Sequence, residues 1–139
     1  MVHTGGVIAF QEFDLSSFPR GYPEMPLTFE IEGLVCEFFR RAVPRPNIGA
    51  QLPLLMQDAG LPPPECRAEF VIDGGPHSPL YELLAETVRS LLPRMEALGI
   101  TTAAAVDIET LEGRLRQEAM QTRGFAVVPT MIGAFARKP

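Results

Sequence analysis

The stretch that decides the fold is Gly5-Gly6-Val7-Ile8-Ala9-Phe10-Gln11-Glu12-Phe13-Asp14. A glycine pair leads into four consecutive apolar residues, Val7 to Phe10, and polar residues follow them. A continuous apolar run of this length is typical of a strand that is buried on both faces of an α/β sheet. Predicted strands and helices then alternate along the chain, so the sequence predicts an α/β protein.

Two helices are predicted after this strand. Apolar residues between Leu27 and Ala42 recur at helical spacing, and Pro44 ends that amphipathic segment. A shorter helix is predicted from Pro53 to Ala59, and Gly60 stands where a left-handed C-terminal cap is expected.

Two further strands are predicted near residue 70 and at the end of the chain. Apolar and mostly polar residues alternate from Glu65 to Ile72, which predicts a strand at the edge of the sheet. The run from Phe125 to Ala136 is almost entirely apolar, which predicts a central last strand. Pro129 interrupts this run and has no amide hydrogen, so we expect it at a bulge or at the start of the strand.

Two consecutive helices are predicted between those strands. Ser78-Pro79 is a good helix start, and the double glycine at Gly74-Gly75 can turn the chain away from the sheet. We expect residues 74–122 to form a helical cap over the carboxyl end of the first strand. The length of 139 residues predicts a single domain, residues 1–139.

Composition excludes several classes of protein. The net charge is −5, and the eleven arginines and single lysine are scattered, so we expect no nucleic-acid binding. No apolar run approaches the roughly 20 residues of a membrane helix, so we expect no membrane association. Cys36 and Cys66 have no CxxC spacing and no leader segment is evident, which predicts a cytoplasmic protein with two buried thiols. The two histidines and two cysteines lie far apart in sequence and predict no metal site.

Five residues are candidates for a substrate pocket. Gln11, Glu12 and Asp14 lie at the carboxyl end of the first strand, which is the side where open α/β sheets bind ligands. Their alternative interpretation is solvated loop polarity. His77 precedes a helix and is close in sequence to Tyr81, so it could act as a general base or orient a substrate. Its alternative interpretation is an ordinary turn histidine, and no residue is assigned a catalytic role.

The order of these elements resembles the C-terminal part of a class I S-adenosylmethionine-dependent methyltransferase of the small-molecule type. The resemblance rests on Gly5-Gly6 before the first strand, Ala59-Gly60-Leu61 before the second, and the apolar terminal strand. It implies a partial Rossmann-like fold with a three-stranded mixed sheet. The strand order would be first-last-middle, with the last strand antiparallel to both neighbours. The predicted cap would be an insertion of the kind that covers the substrate site in this family.

The resemblance also implies S-adenosylmethionine as the cofactor of the complete fold. The family holds this cofactor on a glycine-rich turn after its first strand and an acidic residue after its second. Both would lie upstream of Gly5, so we expect this chain alone to bind no cofactor. Gly74-Gly75 does not replace the turn, because Pro76 follows it and a third glycine is lacking.

Three functions remain open at this point. The chain could be the C-terminal portion of a methyltransferase that is inactive alone, a stand-alone module that binds a small ligand, or a subunit completed in trans by another chain. We also expect a homodimer through the first strand, because Val7, Ile8, Ala9 and Phe10 offer an apolar edge without lysine or proline. The alternative is a monomer that covers this edge with its own N-terminus or first helix.

Overall fold

The computed structural model describes residues 2–16 and 21–139. In chain order the elements are β1 (Val7–Asp14), β2 (Gly21–Tyr22), α1 (Pro26–Ala42), α2 (Ile48–Asp58), β3 (Glu65–Glu69), β4 (Ile72–Gly74), α3 (Leu80–Ala97), α4 (Ala103–Val106), α5 (Leu111–Thr122), β5 (Phe125–Val127) and β6 (Thr130–Arg137). They form two compact units. The described residues of the sheet unit are 2–16, 45–70 and 129–139, and those of the helical unit are 21–44 and 71–128.

The sheet unit contains three strands in the order β1-β6-β3. β6 is antiparallel to both neighbours, so the predicted first-last-middle order and the central antiparallel last strand are confirmed. The single strand predicted from Phe125 to Ala136 is two strands, β5 and β6, which belong to different sheets. Pro129 lies between them, directly before β6. The prediction that Pro129 stands at a strand start is therefore confirmed.

Helix α2 covers one face of this sheet. Leu52 and Met56 pack against Ala134 and Ala136 of β6, and all four side chains are buried. The helix approaches β1 closely at Gly49, where a Cβ atom would lie 2.8 Å from the carbonyl oxygens of two β1 residues. The absence of a side chain at this position therefore sets the distance between α2 and β1.

The prediction that β1 is buried on both faces is wrong for the chain as described. Val7, Phe10 and Phe13 are 52%, 51% and 49% exposed. The physical reason is that β1 lies at the edge of the sheet, and among the described residues of the sheet unit only α2 covers a face. Cys66, predicted as a buried thiol, is also exposed, because it lies on the opposite edge strand. Cys36 is buried as predicted, and the two cysteines form no disulfide.

The helical unit is built around α1, α3 and α5. Its core is a single apolar cluster that includes Ile31 of α1, Val88 of α3 and Leu115 of α5, all at most 1% exposed. A second small sheet, in the order β2-β5-β4, belongs to this unit. The unit therefore extends beyond the predicted insertion at residues 74–122, because α1 buries its apolar face against helices of that insertion. The function of residues 74–122 as a cap stays a prediction.

A carboxylate on α5 accepts hydrogen bonds from backbone amides in the first turn of α1. Glu118 accepts hydrogen bonds from the backbone amides of Leu27 and Thr28 at 2.7 and 2.9 Å, and from the Thr28 hydroxyl at 2.8 Å. The first amides of a helix have no partner within the helix and carry partial positive charge, so an acceptor here stabilises the helix. This contact links α1 to α5 within the helical unit.

No helix in residues 2–16 and 21–139 has the length and apolar character needed to cross a membrane.

Candidate functional site

A shallow trough lies on the sheet face opposite α2. Strand register places Gln11 of β1 and Arg67 of β3 on either side of Gly133 of β6. Side chains alternate between the faces of a strand, and Ala134 and Ala136 pack against α2, so Gly133 and its two partners face the other way. The missing side chain at Gly133 leaves a trough of about 320 Å³.

The lining of the trough combines opposite charges with apolar walls. Arg67 and Glu69 stand on one side, Gln11 and Ala9 on the other, and Met131 and Phe135 border the floor along β6. Gln11, Arg67 and Glu69 are exposed. A guanidinium binds a carboxylate or phosphate oxygen, and a carboxylate binds an amine or hydroxyl. The trough can therefore take a small molecule that carries both kinds of group on an apolar body.

Sequence reasoning selected Gln11 but missed Arg67 and Glu69. Their signal was present in the alternating pattern of residues 65–72, which places these two residues on one face of an edge strand. By itself that pattern predicts only a strand at the edge of the sheet. Nothing in the sequence alone indicates that Gly133 lies opposite both Gln11 and Arg67, because this depends on the strand order.

Glu12 and Asp14 do not line the trough. Both side chains alternate to the face that carries α2, since their partners on β6 are Ile132 and Thr130. The Asp14 carboxylate accepts hydrogen bonds from the amide and hydroxyl of Ser16, at 3.0 and 2.8 Å. This is a local turn, so the contacts of Asp14 agree with the interpretation of loop polarity.

Tyr81 belongs to the core of the helical unit. It is 5% exposed, its hydroxyl donates to the carbonyl oxygen of Gly75 at 3.1 Å, and the Arg116 guanidinium lies 5.2 Å from its ring centre. Burial raises the pKa of Tyr81, the nearby Asp73 charge raises it further, and Arg116 opposes both effects. A buried phenol with this hydrogen bond anchors the turn that precedes α3.

The turn before α3 is held by Asp73 and Ser78. One carboxylate oxygen of Asp73 accepts from the amide of Gly74 at 2.8 Å, and the other accepts from the Ser78 hydroxyl at 2.9 Å. Ser78 also accepts from the amide of Leu80, the first residue of α3, at 3.2 Å, and Pro79 lies between them at the N-cap position. His77 lies within this turn and is exposed.

The five candidate residues are divided between the two units. Gln11, Glu12 and Asp14 belong to the sheet unit, and His77 and Tyr81 belong to the helical unit. That they meet in one pocket stays a prediction.

The second pair of glycines in the sequence, Gly74-Gly75, lies at the end of β4 and in the turn before α3. The amide of Gly74 already donates to Asp73, and a Cβ at Gly74 would lie 2.7 Å from the carbonyl oxygen of Gly124. The Cβ position of Gly74 is thus filled by its strand neighbour, whereas a Cβ at Gly75 would have no atom of the described residues, other than its chain neighbours, within 4 Å. Among the described residues, no group of three histidine, cysteine, aspartate or glutamate side chains could hold a metal ion.

Comparison with known protein families finds no matching family model. Comparison with curated proteins likewise finds no match.

Proposed function

We propose that this chain is the C-terminal portion of an S-adenosylmethionine-dependent small-molecule methyltransferase. The observation that supports this proposal is the strand order β1-β6-β3 with an antiparallel central β6. The resemblance predicts this order for the last three strands of that fold. A sheet built from two parallel strands on either side of one antiparallel strand is a distinctive arrangement, since simple hairpins would place neighbours in chain order.

In this proposal the chain contributes the last three strands of the sheet and the substrate-binding side of the fold, and it is inactive alone. The cofactor would be held by a glycine-rich turn and a ribose-binding acid on other strands. Those strands would belong to a longer form of the same protein, and a second chain that completes the fold in trans is the alternative. The additional strands would pair with β1, because β1 is an edge strand and several of its apolar side chains are exposed.

Calorimetric titration with S-adenosylmethionine tests this proposal. The 139-residue chain is expected to bind no tighter than about 100 μM, equivalent to about 5.5 kcal/mol. The protein encoded when the reading frame is extended upstream of the Met1 codon is expected to bind at least tenfold more tightly than that. Tight binding by the isolated chain would contradict the proposal, and an extension without a glycine-rich turn would favour the second candidate.

The second candidate is a module that binds a small ligand, and the trough at Gly133 favours it. Arg67 and Glu69 would hold the carboxylate and ammonium of a zwitterion, while Phe135 and Met131 contact its apolar body. L-phenylalanine and L-leucine are suitable probes, because each joins these two charges to an apolar side chain.

Filling the trough tests this candidate. Among the described residues other than its chain neighbours, the only atom within 4 Å of a Cβ at Gly133 is the Arg67 carbonyl oxygen at 3.9 Å, so the Cβ of Gly133→Val has room in the trough. The chain is expected to bind a probe with a Kd below about 1 mM, and Gly133→Val to weaken binding about tenfold or more. The matched control is Gly113→Val, which lies on α5 in the helical unit. Equal binding by Gly133→Val and the parent chain would exclude the trough.

A further inference from the structure

The outer edge of β1 has no strand partner among the described residues. β1 stands at one end of the order β1-β6-β3, so the backbone amides and carbonyls on its outer side are available. Free edges of this kind pair with other strands unless lysine, proline or a bulge protects them. The stretch from Val7 to Asp14 contains neither lysine nor proline.

The two edges of this sheet differ in character. The opposite edge, β3, carries Glu65, Arg67 and Glu69 within five residues, which protects it against pairing. β1 instead exposes Val7 and Phe13 on the open face and Phe10 on the face of α2. An apolar edge with exposed side chains on both faces marks a surface of association.

Opposite charges stand at the two ends of β1. At its N-terminal end the Arg137 guanidinium donates to the carbonyl oxygen of Gly5 at 3.1 Å, and the Lys138 ammonium donates to that of Val2 at 2.8 Å. At its C-terminal end are the carboxylates of Glu12 and Asp14. The edge is thus positive where the strand begins and negative where it ends.

We propose that β1 pairs with β1 of a second copy of this chain, antiparallel about a two-fold axis perpendicular to the sheet. Antiparallel pairing brings the positive end of each strand to the negative end of its partner, whereas parallel pairing would bring like charges together. The two sheets then join into one six-stranded sheet with both α2 helices on the same face. Phe10, near the middle of β1 and on that face, lies close to the two-fold axis.

This proposal concerns the 139-residue chain by itself and does not rest on the proposed function. A strand from a cofactor-binding half would compete for the same edge, so the dimer would be a property of the chain when that half is not bound.

Light scattering coupled to size exclusion, at tens of micromolar chain, tests the oligomeric state. The expected mass is twice the 15.3 kDa of one chain. Phe10→Lys is expected to give the monomer, because it places a charge at the dimer contact. The matched control is Phe70→Lys, since Phe70 is 48% exposed beside the opposite edge, and this variant is expected to remain a dimer. A monomeric parent chain overturns the proposal, as does a Phe10→Lys variant that still dimerises.

Charge reversal tests the antiparallel direction. One double variant, Arg137→Glu with Lys138→Glu, makes both ends of β1 negative, and another, Glu12→Lys with Asp14→Lys, makes both ends positive. Each alone is expected to dimerise about tenfold more weakly than the parent chain, and an equimolar mixture is expected to recover the affinity. Circular dichroism of each variant confirms that it is folded. Dimerisation of each variant alone at the parent's affinity, as parallel pairing would give, overturns the antiparallel arrangement, and so does failure of the mixture to recover affinity.

Discussion

At the residue scale, the chain contains only two tyrosines, Tyr22 and Tyr81, and no tryptophan. Tyr22 is 71% exposed, whereas Tyr81 is buried with its hydroxyl bonded to Gly75. In the variant Tyr22→Phe, the tyrosinate absorbance therefore reports Tyr81 alone.

The first prediction is that this absorbance rises at a pH above the ordinary tyrosine pKa, about 10. Burial raises the pKa of Tyr81, so the folded state keeps the proton after the unfolded state has lost it. The stabilisation is complete below the unfolded pKa and is lost as pH rises through the folded pKa. The variant Tyr81→Phe is expected to lose this alkaline destabilisation. A midpoint at or below the ordinary value in Tyr22→Phe would show that Tyr81 is not buried as described.

At the element scale, α2 is positioned by its contact with β1. A Cβ at Gly49 would lie 2.8 Å from two carbonyl oxygens, and backbone atoms cannot move aside as a flexible side chain can. Gly113 in α5 is the opposite case, because a Cβ added there would have no neighbouring atom of the described residues within 4 Å. These two helical glycines therefore separate the effect of close approach from that of helix propensity.

The second prediction follows from that contrast. Gly49→Ala is expected to destabilise the chain by about 1–3 kcal/mol, because α2 must shift away from β1. Gly113→Ala is expected to stabilise it by about 0.5–1 kcal/mol, since alanine is the better helix former. Urea unfolding followed by circular dichroism measures both free energies of unfolding. Equal effects of the two substitutions would contradict the packing of α2 on β1.

Sequence patterns predict these elements well where the cause is local. Gly60 has a φ of +83° after α2, as its predicted cap requires, and Pro129 stops one strand before the next begins. The alternating polarity predicts the edge position of β3, but the single strand predicted from Glu65 to Ile72 is wrong, because β3 ends at Glu69 and Ile72 begins β4 in the second sheet. The patterns fail where the cause is tertiary: the apolar face of α1 predicts a helix but not that α3 and α5 are its partners.

The candidate site shows the same division. The sequence makes Gln11 a candidate because Gln11 follows an apolar run. The trough itself forms because Gly133 lies between Gln11 and Arg67 in the sheet. Conversely, nearness in sequence to His77 makes Tyr81 a candidate, whereas the burial of Tyr81 and its hydrogen bond to Gly75 depend on the folded turn. The periodicity of a strand identifies the residues that lie on one face of it. The residues of the neighbouring strands determine what that face can bind.

At the scale of the whole molecule, the free edge of β1 connects the proposals. In these proposals the same edge strand would pair with a cofactor-binding half or with β1 of a second copy. Because one edge can pair with only one strand, the two associations exclude each other. The dimer is therefore expected to dissociate when a cofactor-binding half is added.

Methyl transfer is the measurement that tests the methyltransferase proposal most directly. S-adenosylmethionine with an isotopically labelled methyl group is incubated with a small-molecule extract of the source cells, and label transferred to that extract is counted. The proposal predicts transfer by the protein expressed from the upstream-extended reading frame, and none by the 139-residue chain under the same conditions. Transfer by the 139-residue chain alone, or its absence from both proteins, would contradict the proposal.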